Sequence, residues 1–420
     1  MHLITNRFFR YIIILVIFVL GGCHSLCAQR VNDSITVSLL TFSPGDMVYE
    51  LYGHTAIRVV DHTLCTDAVF NYGVFDYNQD NFVWHFLLGQ TDYMVQPLPY
   101  DIFKQEYDKR GSSIVSQRLN LTREEANTLF NLLMVNARPE NCVYRYNFLT
   151  SNCTTRVRDM VEEAIRECNG EVVYKEGEKK SYRECLHEFT NGSPWCEVGN
   201  DLLLGAAVDT LLDDRSMQFL PEHLQNYFQT ASVYRKSPEG RDLGSLPLVA
   251  GEAEVLLPAK DVQHPKSFPF SPLVCSLMFL ALMLLVFCIE YFVRHQFWLV
   301  DVLLMPGSGV AGLLVLFMFL CSEHPSLNTN WQVWVFNPLP LFCMPWVFYS
   351  ALKHNHCLYH YFYATAMCSF LIVSPWIPQS FSIMTIPVVV GLASRSVSYI
   401  VSYHRKPAQV SKPRSRKKKA

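Results

Sequence analysis

Cys153 is the residue of this sequence best placed to act as a nucleophile. It follows Ser151 and Asn152, two residue types that often cap the start of a helix. After it, apolar residues recur at the spacing of one helix face: Val157, Met160, Val161, Ala164 and Ile165. Cys153 is therefore predicted in a first helical turn, where the helix dipole favours a thiolate and free N–H groups could hold an oxyanion. The alternative is a buried cysteine that packs as a small apolar side chain.

His54 could supply the base that such a nucleophile needs. It precedes the alternating stretch Thr55 to Val60, which predicts a strand. An imidazole has the intrinsic pKa to take and return a proton, although a histidine at a strand start can also be a structural hydrogen-bonding residue. Together with Cys153 it would form the nucleophile and base of thiol acyl chemistry. Asn71, on the next predicted strand, could orient the imidazole or be an edge asparagine.

Several polar side chains near this pair are candidates for supporting roles. Tyr72 and Tyr146 could donate to an oxyanion or pack in the core, whereas Tyr144 is expected in the core. Asn152 adjoins the nucleophile, and we count it with Asn71 and Tyr146 as an orienting or oxyanion candidate.

Two arginines and the overall composition indicate which ligands and partners to expect. Arg156 and Arg158 follow the nucleophile and are either solvated helix residues or contacts to a phosphate head group. The fourteen cysteines show no CxxC pair and no zinc spacing with histidine, so we predict neither a metal nor another cofactor. Disulfide bonds are possible in an oxidising compartment, but their pairing cannot be deduced from sequence. The net charge of −2 does not indicate nucleic acid as a partner.

The elements that must position these residues form an α+β domain followed by a membrane domain. Thr122 and Glu125 form a capping box that opens a helix, which Arg138-Pro139 ends. Residues 180–230 are predicted to be largely helical. The exported domain is predicted over residues 29–234 and a linker over 235–268. The predicted strands are Ile35–Phe42, Thr55–Val60, Ala68–Phe75, Phe82–Leu88 and Ile114–Leu119.

Residues 1–28 resemble a secretory signal, with Arg7 and Arg10 before an apolar core and small residues after it. This segment has three possible outcomes: cleavage after Ala28, retention as an anchor, or lipidation of Cys23 in a lipobox-like sequence. Each of these outcomes exports the region that follows.

Five long apolar runs over residues 269–403 predict an all-α transmembrane domain of five helices. The basic tail, residues 404–420, is expected in the cytoplasm, which places the exported domain and the loop Ser322–Asn330 on the other side. In that loop His324, Asn328 and Asn330 are head-group candidates, or simply polar loop residues. The runs are Phe270–Val293, Phe297–Cys321, Trp331–Leu352, Leu358–Trp376 and Phe381–Tyr403.

An early histidine and a late Asn-Cys resemble the circularly permuted, lecithin:retinol acyltransferase-like branch of the papain-like NlpC/P60 thiol enzymes. The match is closer to the Lnb N-terminal periplasmic domain, over roughly residues 34–170. Phe219-Leu220-Pro221 and the loop after Glu323 are also similar to that family. The motifs that carry the resemblance are Ser43-Pro44-Gly45-Asp46, Tyr52-Gly53-His54, Phe70-Asn71-Tyr72-Gly73, Phe75-Asp76, Tyr144-Arg145-Tyr146-Asn147-Phe148 and Asn152-Cys153-Thr154-Thr155-Arg156.

The resemblance implies a lipoprotein N-acyltransferase of the bacterial inner membrane, with catalysis on Cys153 and His54 and, less directly, Asn71. Its partners would be a phospholipid acyl donor and a diacylated lipoprotein acceptor. Two alternative functions belong to other functional classes. One is an exported cysteine peptidase or amidase acting on cell-wall peptides, and the other is a membrane scaffold in which Cys153 and His54 only pack.

Overall fold

An antiparallel sheet of seven strands organises the N-terminal part of the protein, which we describe from a computed structural model. The structure describes residues 35–45, 47, 50–75, 81–260 and 268–405, so the signal segment and nearly all of the basic tail lie outside the described residues. A second sheet has the order β7-β8-β9. The strands are β1 (Ile35–Phe42), β2 (His54–Asp61), β3 (Thr66–Val74), β4 (Asp92–Pro99), β5 (Ile114–Arg118), β6 (Val143–Arg145), β7 (Gly170–Val173), β8 (Ser232–Lys236), β9 (Asp242–Pro247) and β10 (Glu254–Leu257), and the large sheet has the order β10-β5-β1-β2-β3-β4-β6.

Helices cover the large sheet and confirm the predicted α+β class. The capping box of Thr122 and Glu125 opens α3 (Arg123–Asn136), which ends before the predicted Arg138-Pro139 stop. The apolar face of α4 (Cys153–Glu167) is buried against the sheet, as its spacing predicted. The helices before the membrane domain are α1 (Phe82–Leu88), α2 (Tyr100–Arg110), α3 (Arg123–Asn136), α4 (Cys153–Glu167), α5 (Tyr182–Thr190), α6 (Pro194–Leu203) and α7 (Pro221–Thr230).

The prediction of a strand at Phe82–Leu88 was wrong, because this segment is helix α1. Gly89 ends the helix in the left-handed conformation, and its N–H bonds back to carbonyls of the last turn. The aromatic and branched composition of the segment is typical of a strand. In the structure Trp84 instead packs against Phe317 of a membrane helix, at 5.2 Å between ring centroids. Tertiary packing against that helix therefore outweighs local propensity.

The predicted linker over residues 235–268 also differs from the structure. Strand β8 crosses the predicted boundary at residue 234, and β9 pairs with it. Strand β10 returns to the large sheet and pairs with β5. The polar and glycine residues of this region hid the strands, since two of them are short and largely exposed.

Five helices follow, α8 (Pro272–Val293), α9 (Trp298–Cys321), α10 (Leu339–Lys353), α11 (Leu358–Val373) and α12 (Thr385–His404). Four segments of the described chain are long and apolar enough to cross a membrane: α8, α9, Trp331–Lys353 and α12. The expectation that every one of five runs has spanning length fails for α11, which has 16 residues. Its helix ends at Val373 because a 3-10 turn containing Pro375 follows.

A buried ion-pair cluster joins three of these helices. Arg395 of α12 bonds both carboxylate oxygens of Glu290 on α8 at 2.9 Å, and it also bonds Asp301 on α9. All three side chains are buried. Charges within apolar helices are expensive unless paired, so this cluster fixes how α8, α9 and α12 pack together.

Candidate active site

Cys153 is the first residue of α4, as predicted. The side-chain oxygen of Asn152 accepts hydrogen bonds from the N–H groups of Thr154 and Thr155, each at 2.9 Å. The Thr155 hydroxyl accepts in return from the Asn152 N–H at 2.9 Å, which completes a capping box. This exchange fixes the helix start, so the thiol of Cys153 has a defined position.

The amide nitrogen of the Asn152 side chain also makes hydrogen bonds beside the site. It donates to the carbonyls of Phe148, at 2.7 Å, and Phe219, at 2.9 Å. The segment Phe219-Leu220-Pro221 is thereby held against the start of α4 and lines the cleft. Because both ends of the amide are engaged, Asn152 suits an orienting role better than an oxyanion-binding one.

His54 reaches Cys153 from the first position of β2. Gly53 precedes it with φ +72°, and a Cβ there would lie 2.5 Å from the Phe42 carbonyl oxygen, so the tight turn into β2 requires glycine. The imidazole Nε2 donates to the side-chain oxygen of Asn71 at 2.6 Å, which leaves Nδ1 for the thiol. The structure thus brings together three residues from β2, β3 and α4.

A β-bulge between Asn71 and Val74 interrupts the pairing of β3 with β4. Within it Gly73 has φ +96°, and a Cβ on Gly73 would lie 3.7 Å from both Cys153 Cβ and His54 Cε1. The bulge places Asn71 against the imidazole, and the glycine leaves open the space beside the pair.

The electrostatics of the pair favour charge separation. Burial acts to raise the pKa of Cys153, but the neighbouring His54 and hydrogen bonds from His54, the Thr55 backbone and Thr154 bring it below its usual value. Burial acts to lower the pKa of His54, whereas the Cys153 charge and hydrogen bonds with Cys153 and Asn71 raise it above its usual value. Both shifts favour a thiolate beside an imidazolium.

The pair lies in a cleft of about 640 Å³. Aromatic and polar side chains mix along its walls. Tyr146 is the one predicted tyrosine that also lines the cleft, and burial holds its pKa well above the usual value, so its phenol stays protonated and can donate. Tyr144 lies in the core, as expected, and Tyr72 is buried with its hydroxyl bonded to Asn136 at 2.9 Å.

Comparison with known families bears on this arrangement. Residues 28–178 match the Lnb N-terminal periplasmic domain, and residues 263–406 match the Lnb transmembrane domain, so the two matches together cover most of the chain. The chain belongs to the Lnb family. Searches of curated proteins and of solved structures found no match. The Lnb periplasmic match contains Cys153, His54 and Asn71, and with the apolar helices it supports a membrane protein whose N-terminal domain is periplasmic.

The two arginines proposed as head-group ligands do not line the cleft of this Lnb domain. Arg158 is buried, pairs with Asp159 and donates to the Arg215 carbonyl at 2.7 Å. Arg156 lies over the Tyr144 ring, 4.5 Å from its centroid.

Two cations that the sequence reasoning missed do line the cleft. Lys109 and Arg110 end α2, and Arg110 pairs with Glu50, another cleft residue. A basic pair before a glycine is typical of any helix end, so the sequence offered no specific signal for them.

The loop between α9 and α10 joins the two Lnb domains. His324 bonds the Phe86 carbonyl at 2.7 Å, and Asn330 donates to the carbonyls of Leu202 and Leu203 at 2.8 and 2.9 Å. Asn328 is exposed. His324 and Asn330 therefore serve the contact between the domains, which the sequence could not reveal because their partners are backbone carbonyls distant in the chain.

Proposed function

We propose that this protein is a lipoprotein N-acyltransferase that carries an acyl chain from a phospholipid, through a thioester on Cys153, to the α-amino group of a diacylated lipoprotein. The observation that carries the proposal is the Cys153–His54–Asn71 arrangement in a cleft of a domain bonded to membrane helices. The family membership supports the same reaction class.

In the first half-reaction the Cys153 thiolate attacks an ester carbonyl carbon of the phospholipid. The N–H of Cys153, which has no partner within its own helix, and the Tyr146 phenol would stabilise the oxyanion. The carbon–oxygen bond then breaks, and the His54 imidazolium gives its proton to the departing lysophospholipid oxygen. A thioester on Cys153 remains.

In the second half-reaction the α-amine of the lipoprotein attacks the thioester carbonyl. His54, now neutral, takes a proton from the amine, and the carbon–sulfur bond breaks to release the thiolate. The products are an amide on the lipoprotein and the enzyme in its starting state. Two easier steps thus replace one difficult transfer from an oxygen ester to an amine.

A trapping experiment tests this route. The full chain is incubated in vesicles with phospholipid and no lipoprotein acceptor, and its peptides are analysed by mass spectrometry. We expect one acyl mass on the peptide that carries Cys153, removed by hydroxylamine at neutral pH as a thioester is. Cys153→Ser should lose this hydroxylamine-labile adduct, because a hydroxyl beside the same base is a weaker nucleophile.

Cys168→Ala provides the matched control. Cys168 is another partly buried free thiol of the same domain, so its loss should leave the adduct intact. Transfer to added lipoprotein without any trapped acyl group would contradict the thioester route. Hydrolysis of cell-wall peptides without a fatty acyl adduct on Cys153 would instead favour the amidase alternative.

A further inference from the structure

Helix α1 presents apolar side chains outwards beside the membrane domain. Val83, Trp84 and Phe86 are 69%, 51% and 46% exposed. Contiguous exposed apolar surface on a protein marks a binding or membrane site.

The position of α1 along α9 sets its level relative to the bilayer. Trp84 contacts Phe317, which is four residues before the end of α9 at Cys321. At 1.5 Å per residue, that is about 6 Å inside the helix end. An aromatic residue at this depth lies where the hydrocarbon meets the head groups. The next loop residues, Ser322 and Glu323, bond the Leu87 and Leu88 carbonyls at 2.8 Å and hold α1 there.

A run of nearly parallel aromatic rings leads from α1 to the nucleophile. Phe82 stacks on Phe75 with 5.8 Å between ring centroids, and Phe75 stacks on Tyr93 at 4.7 Å. Tyr93 in turn stacks on Tyr146 at 4.1 Å. Phe75, Tyr93 and Tyr146 line the cleft together with Cys153. This ring run is a continuous apolar wall between the membrane-level helix and the thiol.

We infer that α1 lies in the outer boundary of the bilayer and that the ring run is the path by which a phospholipid acyl chain reaches Cys153 from the membrane. This inference rests on the proposed function and adds the route of the donor. The occupant is a lipid chain rather than a protein partner, because the apolar face of α1 continues onto a transmembrane helix. A chain lying on these rings would bring its ester group to the thiol without crossing water.

Val83→Asp tests the route. A carboxylate at the hydrocarbon boundary opposes insertion of α1, so we expect acylation of Cys153 from vesicles of phosphatidylethanolamine and phosphatidylglycerol to slow by about tenfold or more. Acylation by dissolved p-nitrophenyl butyrate should keep the wild-type rate, because that donor does not come from the bilayer. Leu64→Asp is the matched control, since Leu64 is 68% exposed in the turn between β2 and β3.

An unchanged vesicle rate in Val83→Asp would overturn the inference. A second measurement does not depend on that variant: a photoreactive benzoylphenylalanine at position 83 should crosslink to phospholipid tails, and one at position 64 should not. Absence of lipid crosslinks at position 83 would also overturn it. If the wild type gains no acyl group from either donor, the proposed function fails, while the crosslinking result still decides the membrane contact of α1.

Discussion

The hydrogen bond between His54 and Asn71 adds to the effect of Cys153 on the charge state of the site. The Asn71 side-chain oxygen accepts a hydrogen bond from His54 Nε2, and this bond helps raise the pKa of His54. The neighbouring imidazolium in turn lowers the pKa of the Cys153 thiol. We therefore propose that Asn71 acts on the nucleophile through the base, as a positioning residue.

The pH dependence of Cys153 acylation should report this coupling. The active form holds a thiolate and an imidazolium, so the rate should rise as Cys153 loses its proton, below the usual thiol pKa of about 8.5. It should fall as His54 loses its proton, above the usual imidazole value of about 6.5. In Asn71→Ala the alkaline limb should move to lower pH, and the maximal rate should drop on the order of 10–10³-fold.

The measurement is the single-turnover rate of acyl-enzyme formation between pH 5 and 10, a range chosen to cover both limbs. Asn141→Ala serves as control, because Asn141 is exposed and its side chain donates to the Val135 carbonyl at the end of α3. A slower Asn71→Ala enzyme with an unmoved alkaline limb would show that Asn71 does not act through the charge of His54.

At the scale of elements, the sequence predicted best where local signals agreed with the tertiary fold. The spacing of α4 and its Asn cap, the capping box of α3 and the first strand are all confirmed. Helix α1 was missed because Trp84 packs against a residue of α9, a contact across more than two hundred residues of chain. The contact of Asn71 with His54 was one of two predicted alternatives. The β-bulge beside Asn71 depends on strand register, which single residues do not encode.

The capping boxes of α3 and α4 permit a comparison between stability and activity. Asn152→Ala and Thr122→Ala each remove the side chain that caps a helix, α4 or α3. Thr122→Ala should lower the free energy of unfolding by about 1 kcal/mol. Asn152→Ala should lower it by more, because it also leaves the Phe148 and Phe219 carbonyls without their donor.

Only Asn152→Ala should slow acylation per folded molecule, on the order of 10²-fold, since a displaced thiol loses its alignment with the base. Thermal unfolding of the full chain in detergent and the trapping rate provide the two readouts. Equal activity loss in both variants would mean that general destabilisation, rather than placement of Cys153, causes the effect.

At the scale of the whole molecule, contacts between the N-terminal domain and the loops of the membrane domain show where the chain returns to the N-terminal domain. The loop after α9 bonds α1 and the end of α6, so the chain returns to the N-terminal domain after α8 and α9. Gln379, which follows α11, bonds the Trp331 N–H at 2.8 Å and the Leu204 carbonyl at 3.2 Å. The chain therefore also returns to that domain after α11.

Helix α11 decides whether the number of crossings is odd. Its 16 residues give about 24 Å, less than the ~30 Å of a hydrocarbon core. The position of Gln379 nevertheless shows that α11 and its 3-10 turn return the chain to the domain side, and α12 then leaves again. Reporters fused after residue 260 and at the C-terminus should therefore be active on opposite sides, the first in the periplasm. A reporter inserted after His354 should share the cytoplasmic side with the C-terminus. Activity of the first and last reporters on one side would mean that one of the five helices, most directly α11, does not cross.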